Sequence, residues 1–397
     1  MYVSNSGSGW SNATIISDDG TNWNIGESES PSIAVDNSGK VHVVWYDNTA
    51  GAWGPDSEIM YTSNDGTGWS NATIISDDGT NWNDGQSLYA EIAVDKTGKV
   101  HVVWDDSTDG AWGVDTEIMY ASNDGTGWTN ATVISDDGTN WNDGISWDAT
   151  IAVDNTGKVH VVWYDGTAGA WGIDTEIMYV SNSGSGWSNA TVISDDGTHW
   201  NDGSSSFPTI AIDLKENVNV VWHDETDGAW GVDTEIMYSS YNGTSWSKAI
   251  VISDEHHGIL WNNGTSDHPD IAIDKTDKIH VVWYDSSNGL WGADDEIMYT
   301  SYSNSEWALP CIISDDETNW NDLDSTRPSI AVDSKGNAHV VWYDDTDGAW
   351  GVDVEIMYTT FSAFTPSSGG GISLGYTFLF FMMVGIIGVI VYTKKKL

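Results

Sequence analysis

Residues Ser32–Gly85 read SIAVDNSGKVHVVWYDNTAGAWGPDSEIMYTSNDGTGWSNATIISDDGTNWNDG. The segment VHVVW, which starts at Val41, returns with small changes at Val100, Val159, Val218, Ile279 and Ala338, at spacings of 59, 59, 59, 61 and 59 residues. Self-similarity at a fixed period is the sequence signature of a repeat architecture. The chain is therefore built from six copies of one unit.

Each unit holds four short runs of β-branched and aromatic residues, separated by clusters of Gly, Asp, Asn and Ser, which is the pattern of strands and turns. In the first unit the predicted strands are 32–36, 41–46, 58–63 and 71–76. Four-stranded units repeated roughly four to eight times are typical of a β-propeller, whereas immunoglobulin-like arrays need about 100 residues per unit. The sequence predicts an all-β, six-bladed β-propeller over residues 1–360.

The two ends of the repeat region complement each other. The chain begins as MYVSNSGSGWSNAT, identical to 178–191, so it enters midway through a unit and supplies a fourth strand at 12–17. The last unit, 329–360, lacks its fourth strand, and the N-terminal strand is predicted to complete it. Met1 aligns with Met60, which lies inside a strand, so the given sequence starts within a strand. Two explanations stay open: the true start lies upstream and adds a seventh blade, or the protein is tail-anchored with a cytoplasmic propeller.

A membrane anchor is predicted after the repeats. Residues 361–371 are rich in Ser and Gly and form a predicted flexible stalk. A transmembrane helix is predicted over 372–393, because the 19 residues from Leu374 to Tyr392 carry no charge and are long enough to cross a bilayer. The basic tail 394–397 is expected in the cytoplasm, which places the propeller outside the cell at the membrane surface.

The composition is strongly acidic, with 60 Asp and Glu against 13 Lys and Arg, a net charge of −47 and a pI near 4.1. This charge would repel phosphates, which excludes nucleic acid and favours cations, neutral sugars or basic surfaces as partners. The acidity is explained equally well by local acidic sites and by adaptation to a saline habitat. The lone Cys311 can form no intrachain disulfide.

The hairpin between the third and fourth strands carries SNDGTGW at 63–69 and again at 122–128. This resembles the Asp-box, S-x-D-x-G-x-x-W, of the sialidase-like (BNR-repeat) β-propellers, although it is one residue shorter and other copies replace the Asp by Ser6, Ser183, Asn242 or Ser303. The resemblance extends from Met1 to about Thr360. It implies a propeller in which the box is structural and lies on the face away from the ligand.

The same resemblance argues against sialidase activity. Sialidases bind the substrate carboxylate with three arginines, and this chain contains only Arg327. Most acidic residues also recur in every unit, whereas a single catalytic site would break the repeat. The sequence therefore leans away from an enzyme without excluding one.

Two acidic loops in each unit, after the second and after the fourth strand, are expected on one face of the propeller. The first reads WGxDxE in all six units, and the second reads SDDGTNWNDG at 76–85 with near copies from Ser17, Ser135 and Ser194. Carboxylates two residues apart suit calcium, which takes oxygen ligands, but Asp also caps turns by accepting backbone N–H bonds, and both interpretations stay open. The candidate calcium ligands are Asp56, Glu58, Asp115, Glu117, Asp174, Glu176, Asp233, Glu235, Asp294, Glu296, Asp353 and Glu355.

Tryptophan is the second recurring feature. Trp45 ends a strand and Trp69 belongs to the Asp-box-like turn, so both are expected to be packing residues. Aromatic faces beside Asp and Asn bind sugar rings, although the loop tryptophans could equally pack between neighbouring blades. The candidate carbohydrate-binding residues are Trp53, Trp82, Trp112, Trp141, Trp171, Trp200, Trp230, Trp291 and Trp350.

Histidines fall into two groups. His42 and its equivalents at 101, 160, 280 and 339 alternate with valines inside a strand and are expected to be satisfied, buried side chains. The others lie where the repeat is broken, near the insertion that lengthens one spacing to 61, and either repeat drift or a transition-metal or catalytic site explains them. These are His199, His223, His256, His257 and His268.

Asn-Ala-Thr sequons recur at one position, at Asn12, Asn71, Asn130 and Asn189, where the outermost strand begins. Glycosylation there fits an extracellular chain, but the motif is short and arises easily by chance.

The sequence favours a membrane-anchored, non-catalytic cell-surface protein that binds glycans or a surface protein through repeated Trp- and Asp-rich loops. Repetition favours this interpretation, since several weak sites on one chain bind a polymer with high avidity. The alternative is an extracellular glycan-cleaving enzyme of sialidase-like fold, with a carboxylate pair such as Asp56 and Glu58.

Overall fold

The computed structural model describes residues 1–362, apart from 6–8, 19–23, 52–53, 78–82, 137–141, 170, 196–200, 229, 255–261, 263, 288–293, 316–320, 322 and 348–352. Beyond 362 it describes only 377–379 and 391–393. Every described element is a β-strand, and the protein is an all-β, six-bladed β-propeller, as the sequence predicts. The chain divides into two compact units, Met1–Val192 and Ile193–Leu397.

The first compact unit, Met1–Val192, holds three four-stranded antiparallel sheets, each made of consecutive strands. They are β1 (Ser28–Val35), β2 (Val41–Asp47), β3 (Glu58–Asn64) and β4 (Thr73–Ile74); β5 (Ser87–Val94), β6 (Val100–Asp106), β7 (Glu117–Asn123) and β8 (Thr132–Val133); and β9 (Ser146–Val153), β10 (Val159–Asp165), β11 (Glu176–Asn182) and β12 (Thr191–Val192).

The second compact unit, Ile193–Leu397, holds three further sheets and one two-stranded sheet. They are β13 (Ser205–Ile212), β14 (Val218–Asp224), β15 (Glu235–Tyr241) and β16 (Ile250–Val251); β17 (Ser266–Ile273), β18 (Ile279–Asp285) and β19 (Glu296–Ser303), with β20 (Glu306–Trp307) and β21 (Cys311–Ile312) both on β19; β22 (Ser325–Val332), β23 (Asn337–Asp344) and β24 (Glu355–Ser362); and the pair β25 (Thr377–Leu379) and β26 (Val391–Thr393).

The hydrophobic core lies between consecutive sheets. Successive side chains of a strand point to opposite faces, so Val44 and Ile59 pack on Val102 and Trp104 of the following sheet, while Val43 and Trp45 take the other side. Valines of β10 are buried on both faces of the sheet, which explains the continuous apolar run of this strand. The packing roles predicted for Trp45 and Trp69 are confirmed: Trp45 is 3% exposed, and Trp69 contacts Tyr2 edge-on at 4.9 Å between ring centroids.

Each strand histidine has one ring nitrogen hydrogen-bonded to a tyrosine of its own sheet, whereas Nε2 of His42, His101 and His280 is buried without a hydrogen bond from described residues. His42 Nδ1 lies 2.7 Å from the Tyr61 hydroxyl, and the same His–Tyr pair forms at His101 and His160. Burial lowers the pKa of His101 to about 4, so the ring is neutral at ordinary pH. This confirms the structural role expected from the sequence.

Each first strand contains a bulge at the same position. The bulged residue has a positive φ of 45° to 52° in all six repeats, although none of the six is glycine. This left-handed backbone costs roughly 1–2 kcal/mol for a residue with a Cβ. The six bulge residues are Ser30, Tyr89 and Asp148 in the first unit, and Phe207, His268 and Arg327 in the second.

Several predictions about the chain ends stay open. Thr14 of the N-terminal strand bridges Tyr2 within its own segment, and the described sheet β22–β24 has three strands, so closure of the last blade by residues 12–17 stays a prediction. The predicted stalk 361–371 and basic tail 394–397 lie outside the described residues, apart from 361–362 in β24. Of the predicted transmembrane helix 372–393, the structure describes only β25 and β26. No helix able to cross a membrane occurs in the described part of the chain.

Candidate functional site

The aspartate that ends each second strand organises the loops at that end of the sheet. In the third repeat, strand pairing sets Asp165 between Ser146 of β9 and Glu176 of β11. Its Oδ2 accepts hydrogen bonds from Trp163 Nε1 at 3.0 Å and Ser146 Oγ at 2.9 Å. Asn142 Nδ2, from the loop after the preceding fourth strand, donates to the same oxygen at 3.1 Å.

A threonine completes this arrangement. Thr167 N donates to Asp165 Oδ1 at 2.8 Å, and its hydroxyl donates to Asn142 Oδ1 at 2.5 Å. Gly144 N in turn donates to Thr167 Oγ1 at 3.0 Å. The Asp165 carboxylate thus links two loops to two strands. We call Asp165 and its equivalents in the other repeats the strand-end aspartates: Asp47, Asp106, Asp165, Asp224, Asp285 and Asp344.

The sequence interpretation missed the strand-end aspartates. Their signal is the pattern W-x-D-x-[T/S], which occurs in all six repeats beside the more conspicuous WGxDxE.

The glutamates of WGxDxE are deeply buried. Glu117 has no exposed surface, and its Oε2 accepts hydrogen bonds from Ser135 Oγ and, at 3.3 Å, from Asn142 Nδ2. Burial, reinforced by the charges of Asp115, Asp136 and Asp165, raises the pKa of Glu117 to about 8. The same causes raise the pKa to about 8 at Glu58 and Glu296 and to about 9 at Glu235.

The companion aspartates share this environment. Asp115 Oδ2 and Glu117 Oε1 are buried and receive no hydrogen bond from described residues, and the same holds for Asp56 with Glu58 and for Asp233 with Glu235. Such an oxygen requires a proton, a cation or a bound water molecule. Among the described residues, however, no three His, Cys, Asp or Glu side chains group as metal ligands. Calcium binding at the twelve candidate residues stays a prediction.

The burial of Glu58 also bears on the enzyme alternative. Glu58 has no exposed surface and is hydrogen-bonded by Ser76 Oγ at 2.5 Å. A polysaccharide cannot reach it, so Asp56 and Glu58 are poorly placed as a glycoside-cleaving pair.

Three candidate sugar-binding tryptophans lie within the described residues: Trp112, Trp171 and Trp230. Each is half-buried, and its indole N–H donates to a backbone carbonyl of its own loop at 3.1 to 3.2 Å. The rings of Trp112 and Trp230 lie over Gly110 and Gly228, where a Cβ would approach within 2.3 Å. The other candidates, Trp53, Trp82, Trp141, Trp200, Trp291 and Trp350, lie outside the described residues.

An exposed aliphatic residue follows each of these tryptophans. Val114, Ile173 and Val232 are 83%, 88% and 82% exposed, two residues after Trp112, Trp171 and Trp230. A single exposed aliphatic side chain is ordinary, but recurrence at one loop position makes an apolar tip in repeat after repeat. The sequons at Asn12, Asn71, Asn130 and Asn189 are also exposed, and glycosylation there stays a prediction.

Two of the histidines from the broken part of the repeat come together. His223 Nδ1 is hydrogen-bonded to Asp267 Oδ1, and His268 Nδ1 lies 3.0 Å from the same oxygen. Tyr284 OH donates to Asp267 Oδ2 at 2.9 Å. Burial alone would raise the pKa of Asp267, but the hydrogen bond from His223 and the nearby His268 ring outweigh it and hold that pKa well below its ordinary range. His199, His256 and His257 lie outside the described residues.

The fold is shared with carbohydrate-active proteins of known structure. The NanB sialidase of Streptococcus pneumoniae superimposes with a TM-score of 0.53 at 10% identity, covering 88% of this chain and 70% of that one. An α-L-arabinanase of Penicillium chrysogenum, solved with arabinobiose, gives 0.53 at 12% identity, covering 84% and 93%. A polysaccharide lyase, an ulvan lyase solved with -[GlcA(1-4)Rha3S]-, gives 0.52 at 11% identity, covering 85% and 82%.

These identities are low, so the likeness shows the fold alone, a sialidase- and arabinanase-like six-bladed propeller. No protein-family model matches the chain, and no curated protein sequence is significantly similar to it.

The buried glutamates predict an unusual pH dependence. Unfolded Glu117 ionises near its ordinary pKa, whereas the folded residue keeps its proton until about pH 8, so its contribution to stability is complete below about pH 4.5 and is lost as the pH rises to about 8. We expect Glu117→Gln to reduce the slope with which the free energy of unfolding falls with pH, by up to about 1.4 kcal/mol per pH unit. Urea unfolding between about pH 5 and pH 8 measures this slope.

Glu306→Gln is the control, because Glu306 is exposed at the start of the short strand β20. Equal pH profiles for the two variants would show that Glu117 is not held protonated by burial.

Proposed function

We propose that the protein is a membrane-anchored cell-surface protein that binds glycans at several equivalent loops of its propeller. The observation that carries the proposal is the recurring pair of a fixed, half-buried tryptophan and an exposed aliphatic tip, as at Trp171 and Ile173. An aromatic ring whose N–H is already bonded offers its remaining surface for apolar contact. Carboxylates and amides of the neighbouring loops supply hydrogen bonds to sugar hydroxyls.

Repetition gives this surface its expected strength. One ring against one sugar is a weak contact, whereas equivalent loops on one chain convert later contacts with the same polymer into intramolecular ones. The glycan-acting proteins that share the fold support a glycan as ligand. A basic surface protein is the second candidate partner, because the net charge of −47 favours it.

The tryptophan loops can be tested on immobilised polysaccharides. We expect the triple substitution Trp112→Ala, Trp171→Ala and Trp230→Ala to weaken binding to the best polymer by about tenfold or more, and each single substitution to weaken it only slightly, since avidity depends on several sites. Binding would be measured by surface plasmon resonance.

Asp124→Ala is the control, because Asp124 is exposed on the hairpin at the other end of its sheet. A triple variant that binds as tightly as the unmodified chain, or an unmodified chain that binds no polysaccharide, would refute the loop proposal.

Calcium forms part of the proposal. A cation between Asp115 Oδ2 and Glu117 Oε1 would neutralise two buried oxygens that no described donor satisfies, with carbonyl or water oxygens completing its shell. We expect calcium to raise the melting temperature and a chelator to lower it, because a ligand that binds only the folded state stabilises it. Sodium chloride at equal ionic strength is the control, and an unchanged melting curve at millimolar calcium removes the cation from the proposal.

Surface display rests on the predicted anchor. With the lysines of 394–397 inside, the propeller is outside, and protease added to intact cells should degrade it. A propeller that survives while a known surface protein is digested, and that is cleaved only after lysis, would instead show the tail-anchored arrangement.

A further inference from the structure

Two neighbouring bulges of the first compact unit carry large or charged side chains on strained backbone. Tyr89 of β5 has a φ of 50°, and Asp148 of β9 has a φ of 52°. Glycine or asparagine would adopt the same backbone at lower cost. Residues held in such conformations cluster at ligand sites. Tyr89 and Asp148 are therefore candidates for contact with a ligand.

Three aromatic rings from three consecutive sheets meet at these bulges. The Tyr89 ring contacts Tyr46 of β2 edge-on, with 5.9 Å between centroids and 77° between planes. The same ring lies 5.8 Å from that of Trp147, with the planes at 43°. Tyr89 is 38% exposed, Trp147 is half-buried and Tyr46 is buried. The rings form one aromatic surface, with the solvent-exposed Tyr89 in its middle.

A carboxyl group accompanies each end of this aromatic surface. Tyr46 OH donates a hydrogen bond to Glu29 Oε2 at 2.7 Å, and Asp148 directly follows Trp147. Asp105 Oδ2 accepts a hydrogen bond from Asp148 N at 3.0 Å, which stabilises the bulge. Burial, reinforced by the charge of Asp148, raises the pKa of Asp105 well above its ordinary value. Asp105 is thus a neutral support, and Glu29 and Asp148 are the acids that a ligand can reach.

Two polar atoms of this region are buried and make no hydrogen bond with the described residues: Trp147 Nε1 and Asp105 Oδ1. An unsatisfied buried polar group costs free energy of folding and is uncommon in native proteins. The region is therefore not optimised for stability alone, as the strained backbone of Tyr89 and Asp148 also indicates.

The basic residues of the first compact unit lie away from these acids. This unit contains no arginine, and its four lysines all lie in the turns between first and second strands: Lys40, Lys96, Lys99 and Lys158. The bulges lie at the opposite end of those strands, where Leu88 pairs with Asp105 and Trp147 pairs with Tyr164. A cationic ligand at the bulges would therefore meet acids and aromatic rings without a competing lysine.

From this geometry we propose that Glu29, Tyr89, Trp147 and Asp148 form a binding site for an oligosaccharide of amino sugars, with sugar rings on Tyr89 and Trp147 and ammonium groups paired with the two carboxylates. An ammonium group is attracted to an aromatic face within about 6 Å of its centroid. Hydrogen bonds between charged partners are roughly twice as strong as neutral ones. The site shares no residue with the tryptophan loops and does not depend on them.

Calorimetric titration of the full-length chain at mildly acidic pH tests the site with three probes. They are a glucosamine tetramer, whose amines are then protonated, the same tetramer with its amines acetylated, and a lysine tetrapeptide with blocked ends. The unmodified chain should prefer the glucosamine tetramer to the other two, because only this probe combines sugar rings with ammonium groups.

We expect the double substitution Glu29→Gln and Asp148→Asn to weaken binding of the glucosamine tetramer by about tenfold or more, since it removes both charges and keeps the shape of the side chains. Asparagine also suits the positive φ at Asp148. Tyr89→Asn, for the same reason compatible with its backbone, should weaken this probe as well, because it removes the central ring.

The double substitution Asp65→Asn and Asp124→Asn is the matched control. Both aspartates are exposed on hairpins at the other end of their sheets, and the fourth repeat carries Asn242 at this position with the same hydrogen bond to a threonine. Equal losses in the two double variants would reduce the effect to net charge and overturn the proposal.

The probes and the loop variant supply further outcomes that decide the matter. The proposal is overturned if the acetylated tetramer or the lysine peptide binds as tightly as the glucosamine tetramer, if Tyr89→Asn changes nothing, or if no probe binds. The variant that lacks Trp112, Trp171 and Trp230 should bind the glucosamine tetramer unchanged, so failure of the loop proposal is separate from failure here. Loss of binding in that variant would place the amino sugar on the loops instead.

Discussion

The hydrogen bonds to the strand-end aspartates hold each blade together at one end. In the third repeat, Asp165 collects Trp163 from its own strand, Ser146 from the first strand, Asn142 from the incoming loop and Thr167 from the outgoing loop. A carboxylate that is 1% exposed can exist there only because four donors replace water. The loops at this end are positioned by that carboxylate.

This arrangement explains why the same end of the sheet carries the candidate functional groups. Once Asp165 and Asn142 fix the loop ends, the intervening loops need only short polar contacts of their own, such as the bond from Trp171 Nε1 to the Thr167 carbonyl at 3.1 Å. Their tips are then free to present Ile173 to solvent. The buried Glu176 opposite Asp165 belongs to this scaffold and lies out of reach of a large ligand.

Much of this architecture could be predicted from the sequence, because period and strand pattern are local properties. The predicted second strand 41–46 is observed as Val41–Asp47, and Trp45, Trp69 and His42 are packed as expected. The predicted fourth strand 71–76 is shorter, only Thr73–Ile74, since an outermost strand pairs on one side. The burial of Glu58 and the role of Asp47 depend on contacts between loops distant in sequence, and no local pattern reveals them.

Only part of the cluster around Asp267 could be predicted from the sequence. His223 and His268 are conspicuous by composition, but Phe207 joins them through strand alignment and a bulge. Those features appear only once the sheets are formed. The copies differ at the bulge position and also at the residue before it, which is Glu29, Leu88, Trp147, Ser206, Asp267 and Thr326 in the six repeats.

The central claim is that the strand-end aspartates position the loops, and urea unfolding of Asp165→Ala compared with Asp143→Ala tests it most directly. Asp143 is an exposed aspartate next to Asn142, in the loop that Asp165 binds, so the pair separates loss of the hydrogen bonds from loss of a charge. The account predicts that Asp165→Ala loses about 3 kcal/mol or more of unfolding free energy, because buried donors are left unpaired, while Asp143→Ala changes by less than about 0.5 kcal/mol. Equal, small changes in both variants would contradict it.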